Sequence, residues 1–99
     1  MTNWRDRGSK SAPAAVAFAA DPAPVAASVL AANVNRRAAL IANAGVNTVY
    51  LGRDNTVTVA NGIPLGPGAS LTDSWSSDAW WGIMAANEAG DVRVVEVTA

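Results

Sequence analysis

Asn47-Thr48-Val49-Tyr50-Leu51-Gly52-Arg53-Asp54-Asn55-Thr56-Val57-Thr58-Val59-Ala60-Asn61-Gly62 alternates, breaks, alternates again and breaks a second time. Val49 and Leu51 fall on one side of an extended chain, Thr48 and Tyr50 on the other. Val57 and Val59 oppose Thr56 and Thr58 in the same way. Successive side chains of a strand point to opposite faces, so period-two alternation marks a half-buried strand. Arg53-Asp54-Asn55 supplies residues that bond their own backbone in turns, and Asn61-Gly62 is a strong turn signal. The stretch predicts strands over residues 47–52 and 56–60 with compact connections.

The same grammar extends in both directions. Upstream, residues 25–31 carry Val25, Val29 and Leu30 before the break at Asn33-Val34-Asn35, and residues 36–44 are apolar after a basic start at Arg36-Arg37. Downstream, Ile63-Pro64-Leu65-Gly66-Pro67-Gly68 reads as irregular, because its prolines lack donors and its glycines weaken pairing. Residues 69–73, 79–86 and 91–98 are further strand candidates, the last carrying Val92, Val94, Val95 and Val97. About seven short strands with tight turns predict an all-β fold, a small antiparallel β-sandwich or jelly-roll-like barrel. No segment after Val25 sustains a helical apolar period.

Residues 1–24 have a different composition and predict an extended N-terminal arm, leaving 25–99 as the β-sandwich domain. Polar residues come first, then an alanine-dominated run, then Asp21-Pro22-Ala23-Pro24, whose prolines favour an extended path. Arg5, Arg7 and Lys10 against Asp6 give the arm a net positive start, whereas four Arg oppose seven acids from Asp21 onward. Alanine buries too little area to offset the entropy of ordering, so the arm is expected to order only against neighbours. Trp4 and Phe18 are its only large apolar groups and its natural anchors, with Arg5, Arg7 and Lys10 meeting an acidic surface. The run 13–20 holds only Val16 and Phe18 as strong apolar residues, poorer than the core of a signal peptide.

Composition narrows the function classes. The 99 residues suit one domain, and the net charge of −1 with seven Lys and Arg argues against nucleic acid as a main partner. No stretch approaches the apolar length of a membrane span. There is no cysteine and no histidine, so disulfides, thiolate metal sites and histidine-based nucleophile triads are excluded for this stretch of chain. Asp73 and Asp78 flank Trp75, and a carboxylate pair beside an aromatic is the one arrangement that suggests hydrolysis of a glycoside. Both acids sit in a Ser/Asp-rich loop, where Asp ordinarily bonds to nearby backbone. No catalytic, cofactor-binding or metal-binding residue is assigned, and no cofactor is expected.

Trp75, Trp80 and Trp81 crowd into seven positions. Adjacent strand residues face opposite ways, so one of Trp80 and Trp81 is expected in the core and the other on an outer face. Aromatic side chains dominate interface hot spots, which makes Trp75, Trp80 and Trp81 the candidate subunit-interface residues. A tryptophan covered by its own loop, residues 74–78, is the plainer alternative. Arg36 and Arg37 open a strand on opposite faces; one is expected to pair with an acid such as Glu96 or Asp91.

Asn35-Arg36-Arg37-Ala38-Ala39-Leu40-Ile41-Ala42-Asn43, Asn47-Thr48-Val49-Tyr50-Leu51-Gly52 and Asn61-Gly62-Ile63-Pro64-Leu65-Gly66-Pro67-Gly68 occur in that order, followed by Asp91-Val92-Arg93-Val94-Val95-Glu96-Val97. Together these segments resemble small β-sandwich virion proteins of tailed bacteriophages, most of all capsid decoration (head auxiliary, minor capsid) proteins. The likeness covers about three quarters of the chain and omits the arm. It implies a virion component, and the expectation taken from it is a non-catalytic structural protein that decorates and stabilises a capsid from its outer surface, with the major capsid protein and copies of itself, as a homotrimer, for partners. A receptor- or glycan-binding module of a tail or head fibre is the alternative within the same resemblance.

Overall fold

The computed structural model describes residues 10–99. Eight strands follow one another: β1 (Lys10–Phe18), β2 (Ala27–Leu30), β3 (Arg36–Asn43), β4 (Val49–Gly52), β5 (Ile63–Leu65), β6 (Ser70–Asp73), β7 (Trp80–Met84) and β8 (Gly90–Thr98). They form two four-stranded antiparallel sheets, ordered β1-β8-β3-β6 and β2-β7-β4-β5, with no helix among the described residues. The pairings β1 with β8, β2 with β7, β3 with β6 and β4 with β5 nest inside one another, while β8–β3 and β7–β4 close each sheet. Taken from the outside in, these nested pairs alternate between the two layers; this is the order of a jelly roll. The expected β-sandwich is therefore present.

Burial follows the pleat. Ile41, Val92 and Val94 of the first sheet face Val49, Leu51, Trp80 and Met84 of the second, all at 2% exposure or less. Gly82 lies in the middle of this core. A Cβ there would stand 3.1 Å from Val29 Cγ2, 3.2 Å from Val49 Cγ2 and 3.3 Å from Phe18 Cζ, so the bare backbone admits all three neighbours.

Three segments depart from the sequence expectations. Residues 10–18, expected within the arm, form β1, paired to β8 from Lys10↔Thr98 to Phe18↔Gly90. Ladder bonds to β8 and the burial of Phe18 hold it, although Ala12, Ala14 and Ala15 stay exposed. Residues 56–60 are not a strand. Val57 plugs a loop between Gly52 and Gly62, where an added Cβ would approach Val57 side-chain atoms to 2.7 and 3.0 Å respectively. Asp54 accepts the Thr56 amide at 2.9 Å and Asn61 accepts the Thr58 amide at 2.7 Å, so polar side chains satisfy the backbone that a ladder would have used. Residues 63–65, expected to be irregular, form β5 against β4, with Tyr50↔Pro64 in register. β5 is the last strand of its sheet, where a proline's missing donor can face solvent.

The registers also sort the loops between two ends. Phe18, Gly90, Asn43, Ser70 and Met84 mark one end, with loops 19–26, 44–48, 66–69 and 85–89. Asn87 N–H donates to the Asp21 carbonyl at 2.8 Å, and Asn43 Nδ2 donates to the Asn47 and Leu65 carbonyls at 2.8 Å each. Lys10, Thr98, Arg36, Asp73 and Trp80 mark the opposite end, with loops 31–35, 53–62 and 74–79. The chain enters β1 at this second end.

Candidate functional site

Trp75 stands at the second end on loop 74–79 with 65% of its surface exposed. The loop is not loose. Asp73, the last residue of β6, is wholly buried, and its Oδ1 accepts the amides of Trp75 at 3.1 Å and Ser76 at 3.0 Å. Its Oδ2 accepts Ser76 Oγ and the indole Nε1 of Trp80, each at 2.8 Å. Arg53 reaches the same oxygen at 3.4 Å and lies over the Trp80 ring, 3.9 Å from its centre. Burial pushes the Asp73 pKa upward, but the hydrogen bonds from Trp80, Ser76 and the two amides outweigh it and hold the carboxyl well below the usual carboxylate range.

This geometry answers the acid-pair reading of Asp73 and Asp78. The Asp73 oxygens are occupied by structural donors and face no open cleft, so Asp73 is a buttress rather than an acid for catalysis. What it supports is an exposed indole on a fixed backbone, the arrangement that costs least entropy on contact with a partner. Next to it, Arg36 closes the gap between loops. Its buried guanidinium pairs with Glu96 at 2.9 Å and donates to the carbonyls of Asp78 at 2.6 Å and Ala31. The expected pairing of one strand-opening arginine with Glu96 is the one found; Asp91 instead pairs with Arg93 at 2.8 Å. Asn33 N–H donates to the Ser77 carbonyl at 2.9 Å, which ties loop 31–35, with Val34 90% exposed, to the Trp75 loop.

The other candidate residues separate. Trp80 is 2% exposed and belongs to the core, so its assignment to a subunit interface is corrected: it is bonded to Asp73 and covered by Arg53. Trp81 is half-buried on the outer face of the second sheet, opposite Ser28 and Gly52 in register. Phe18 is 9% exposed and packs in the molecule's own core, so it does not anchor an arm to a neighbour. Lys10 begins β1, while Trp4, Arg5 and Arg7 lie outside the described residues.

A second surface was not anticipated from sequence. On the outer face of the first sheet, Pro13, Val95 and Leu40 sit side by side across β1, β8 and β3, with Thr72 of β6 next in line. Val95 is 36% and Leu40 40% exposed, and the neighbouring row is Ala15, Arg93, Ala42 and Ser70. The alternation that hides Ile41 and Val94 necessarily turns Leu40 and Val95 outward, so the signal was the adjacent apolar pairs Leu40-Ile41 and Val94-Val95.

No protein-family model and no curated protein matches the sequence. Among solved structures, the chain is similar to a protein of the Bacillus endospore appendages, which form a novel family of disulfide-linked pili. The TM-score is 0.55 and the identity 15%, over 93% of this chain and 88% of that one. Aeromonas hydrophila PliG, a periplasmic inhibitor of g-type lysozyme, aligns at a TM-score of 0.38 and 8% identity, over 99% of this chain and 91% of that one. At these identities the likeness to the pilus protein is one of fold.

Proposed function

We propose that this chain is a non-catalytic structural protein of a tailed-phage virion that decorates the outer capsid surface and stabilises it across junctions between shell subunits. The observation that carries the reading is Trp75, exposed yet held rigidly by the buried Asp73. The resemblance of segments 35–43, 47–52, 61–68 and 91–97 to capsid decoration proteins supports that setting. A protein that binds only the assembled shell stabilises it by mass action, and clustering as a homotrimer multiplies that contact. The Bacillus pilus protein of similar fold is disulfide-linked; a chain without cysteine has to assemble through non-covalent contacts, and Trp75 and the Pro13–Val95–Leu40 face supply them.

A second reading makes the same end of the domain a receptor- or glycan-binding surface of a tail or head fibre. Trp75 flanked by Ser74 and Asp78 favours it, because a sugar stacks on an exposed indole and bonds to hydroxyls and carboxylates beside it. Copy number separates the two. Quantitative mass spectrometry of purified particles, with a reconstruction that assigns this density, should find hundreds of copies spread over the shell. A handful at a tail tip would support the fibre reading. Absence from purified particles would refute both.

A further inference from the structure

We propose that copies of this chain join head to tail, with the segment around Trp4, Arg5 and Arg7 of one copy docking at the first loop end of the next. The acceptor is a crevice of about 200 Å³ where β1 turns toward β2, lined by Phe18, Pro24, Val25 and Met84 with Asp21 at its edge. An apolar cavity of about 150 Å³ takes a benzene ring, so this one is sized for a single aromatic side chain. Val25 is 78% exposed beside it.

Charge points to the occupant. Loops 19–26, 44–48, 66–69 and 85–89 contain Asp21 and Glu88 and no Lys or Arg. The bond from Asn87 N–H to the Asp21 carbonyl brings the two acid-bearing loops together. The sequence before β1 carries its own aromatic, Trp4, next to Arg5 and Arg7. An aromatic followed by two arginines, with Asp6 between them, matches an apolar crevice that has Asp21 in its lining and Glu88 on the neighbouring loop.

Reach makes the contact intermolecular. Lys10 lies at the opposite end of β1 from the crevice, about 26 Å away at the usual rise per strand residue. Trp4 precedes Lys10 by six residues, and reversing direction uses at least about two of them. The rest span at most ~14 Å, so Trp4 falls well short of the crevice of its own copy. A contact between different patches is heterologous, and it closes into a ring or runs on as a filament according to the rotation between copies.

This inference rests on the assembly reading above, but its main test needs no particles, so the two can fail separately. The intact chain is followed by sedimentation velocity over a concentration series at low and high salt, beside two variants. One combines Trp4→Ala, Arg5→Glu and Arg7→Glu. The other combines Asp21→Asn, which keeps the side-chain acceptor for the Ala23 amide, with Glu88→Lys. The wild type should self-associate, more weakly at high salt, and each variant should lose at least about tenfold in apparent affinity. Mixed together, the two variants should form a one-to-one complex and stop there, because one retains the intact crevice and the other the intact segment. If the second variant unfolds in a thermal melt, the first carries the test alone, since its changes lie outside residues 10–99. A monomeric wild type, self-association untouched by the first variant, or a mixture of folded variants that forms no complex would each overturn the proposal. Particle binding through the same segment by a monomeric chain would overturn it too, while leaving the assembly reading intact.

Discussion

Replacing Asp73 tests the site most directly, because one carboxylate holds core and loop together. Asp73→Ala strands the indole N–H of Trp80, a buried donor whose acceptor among the described residues is Asp73 Oδ2 at 2.8 Å. Leaving such a donor unpaired costs about 1–3 kcal/mol, and hydrogen bonds to a charged group are each worth about 1.5–3 kcal/mol net. The Trp75 and Ser76 amides also lose their acceptor, although they are only part-buried and water recovers some of that loss. The desolvation of the carboxylate is regained on its removal, which keeps the sum well below the total of the bonds. The expected cost is about 3–5 kcal/mol, a large share of the ~5–15 kcal/mol that holds a small domain together.

Asp73→Asn sharpens the test. The amide keeps the shape but turns one acceptor into a donor, which must then face either Trp80 Nε1 or the two backbone amides; the expected cost is about 2–3 kcal/mol. Trp80→Phe removes the donor instead, and a double-mutant cycle with Asp73→Asn should give a coupling of at least about 0.5 kcal/mol. The folded pKa of Asp73 lies below its unfolded value. Its contribution is therefore fully present above the ordinary carboxylate pKa of about 3.9 and is lost as pH falls below that value toward the folded pKa. Urea unfolding followed by far-UV circular dichroism between pH 7 and 2.5 reads all of this. Wild type should lose stability below pH ~4 more steeply than Asp73→Asn. A loss under 1 kcal/mol for Asp73→Ala, or parallel pH profiles for wild type and Asp73→Asn, would refute the buttress.

Phe18→Ala should cost about 3–5 kcal/mol in the same unfolding assay, as truncations of buried aromatics do; a negligible cost would return residues 10–18 to the status of an arm. Gly62→Ala should lower the melting temperature more than Gly90→Ala. The new Cβ at residue 62 would meet Tyr50 Cβ at 2.7 Å and the Thr58 carbonyl at 2.9 Å, whereas at residue 90 it would meet Met84 Sδ at 2.6 Å and Cε at 2.8 Å, the end of a flexible side chain. Trp75→Ala should leave stability within about 0.5 kcal/mol of wild type while weakening association, and Trp80→Ala should cost about 3–5 kcal/mol; similar stability losses for the two would contradict their placement.

The fold was legible wherever apolar residues had to be hidden. Residues 36–43 and 90–98 carry enough large side chains to define an inner face without help, and β3 and β8 lie where alternation and turn residues put them. The misreadings share a cause: periodicity describes side chains, whereas ladders are made of backbone. Residues 56–60 alternate without pairing, because Val57 finds its cover between two glycines. Residues 63–65 pair despite Pro64, because an edge strand bonds on one side only. Residues 10–18 carry almost no pattern, since Ala12 and Ala14 have little to bury, and β8 supplies the partner that no local signal announces.

At the site, the division of labour between Trp80 and Trp81 was legible, but not which of them turns inward. The phase of β7 decides that. Gly82 pairs with Leu51 and Met84 with Val49, both buried partners, so residues 80, 82 and 84 face the core. Shifting the strand by one residue would bring Trp81 inward and carry Gly82 out. Phe18, Val29 and Val49 would then lose the one inward position on β7 with no side chain, the position around which they close. The same shift would take the indole N–H of Trp80 away from Asp73 and leave a buried carboxylate without its Trp80 donor. The glycine at 82 in the middle of the strand and the aspartate at 73, bonded to its first residue, thus select one register, and the exposed face of Trp75 follows from the second of them.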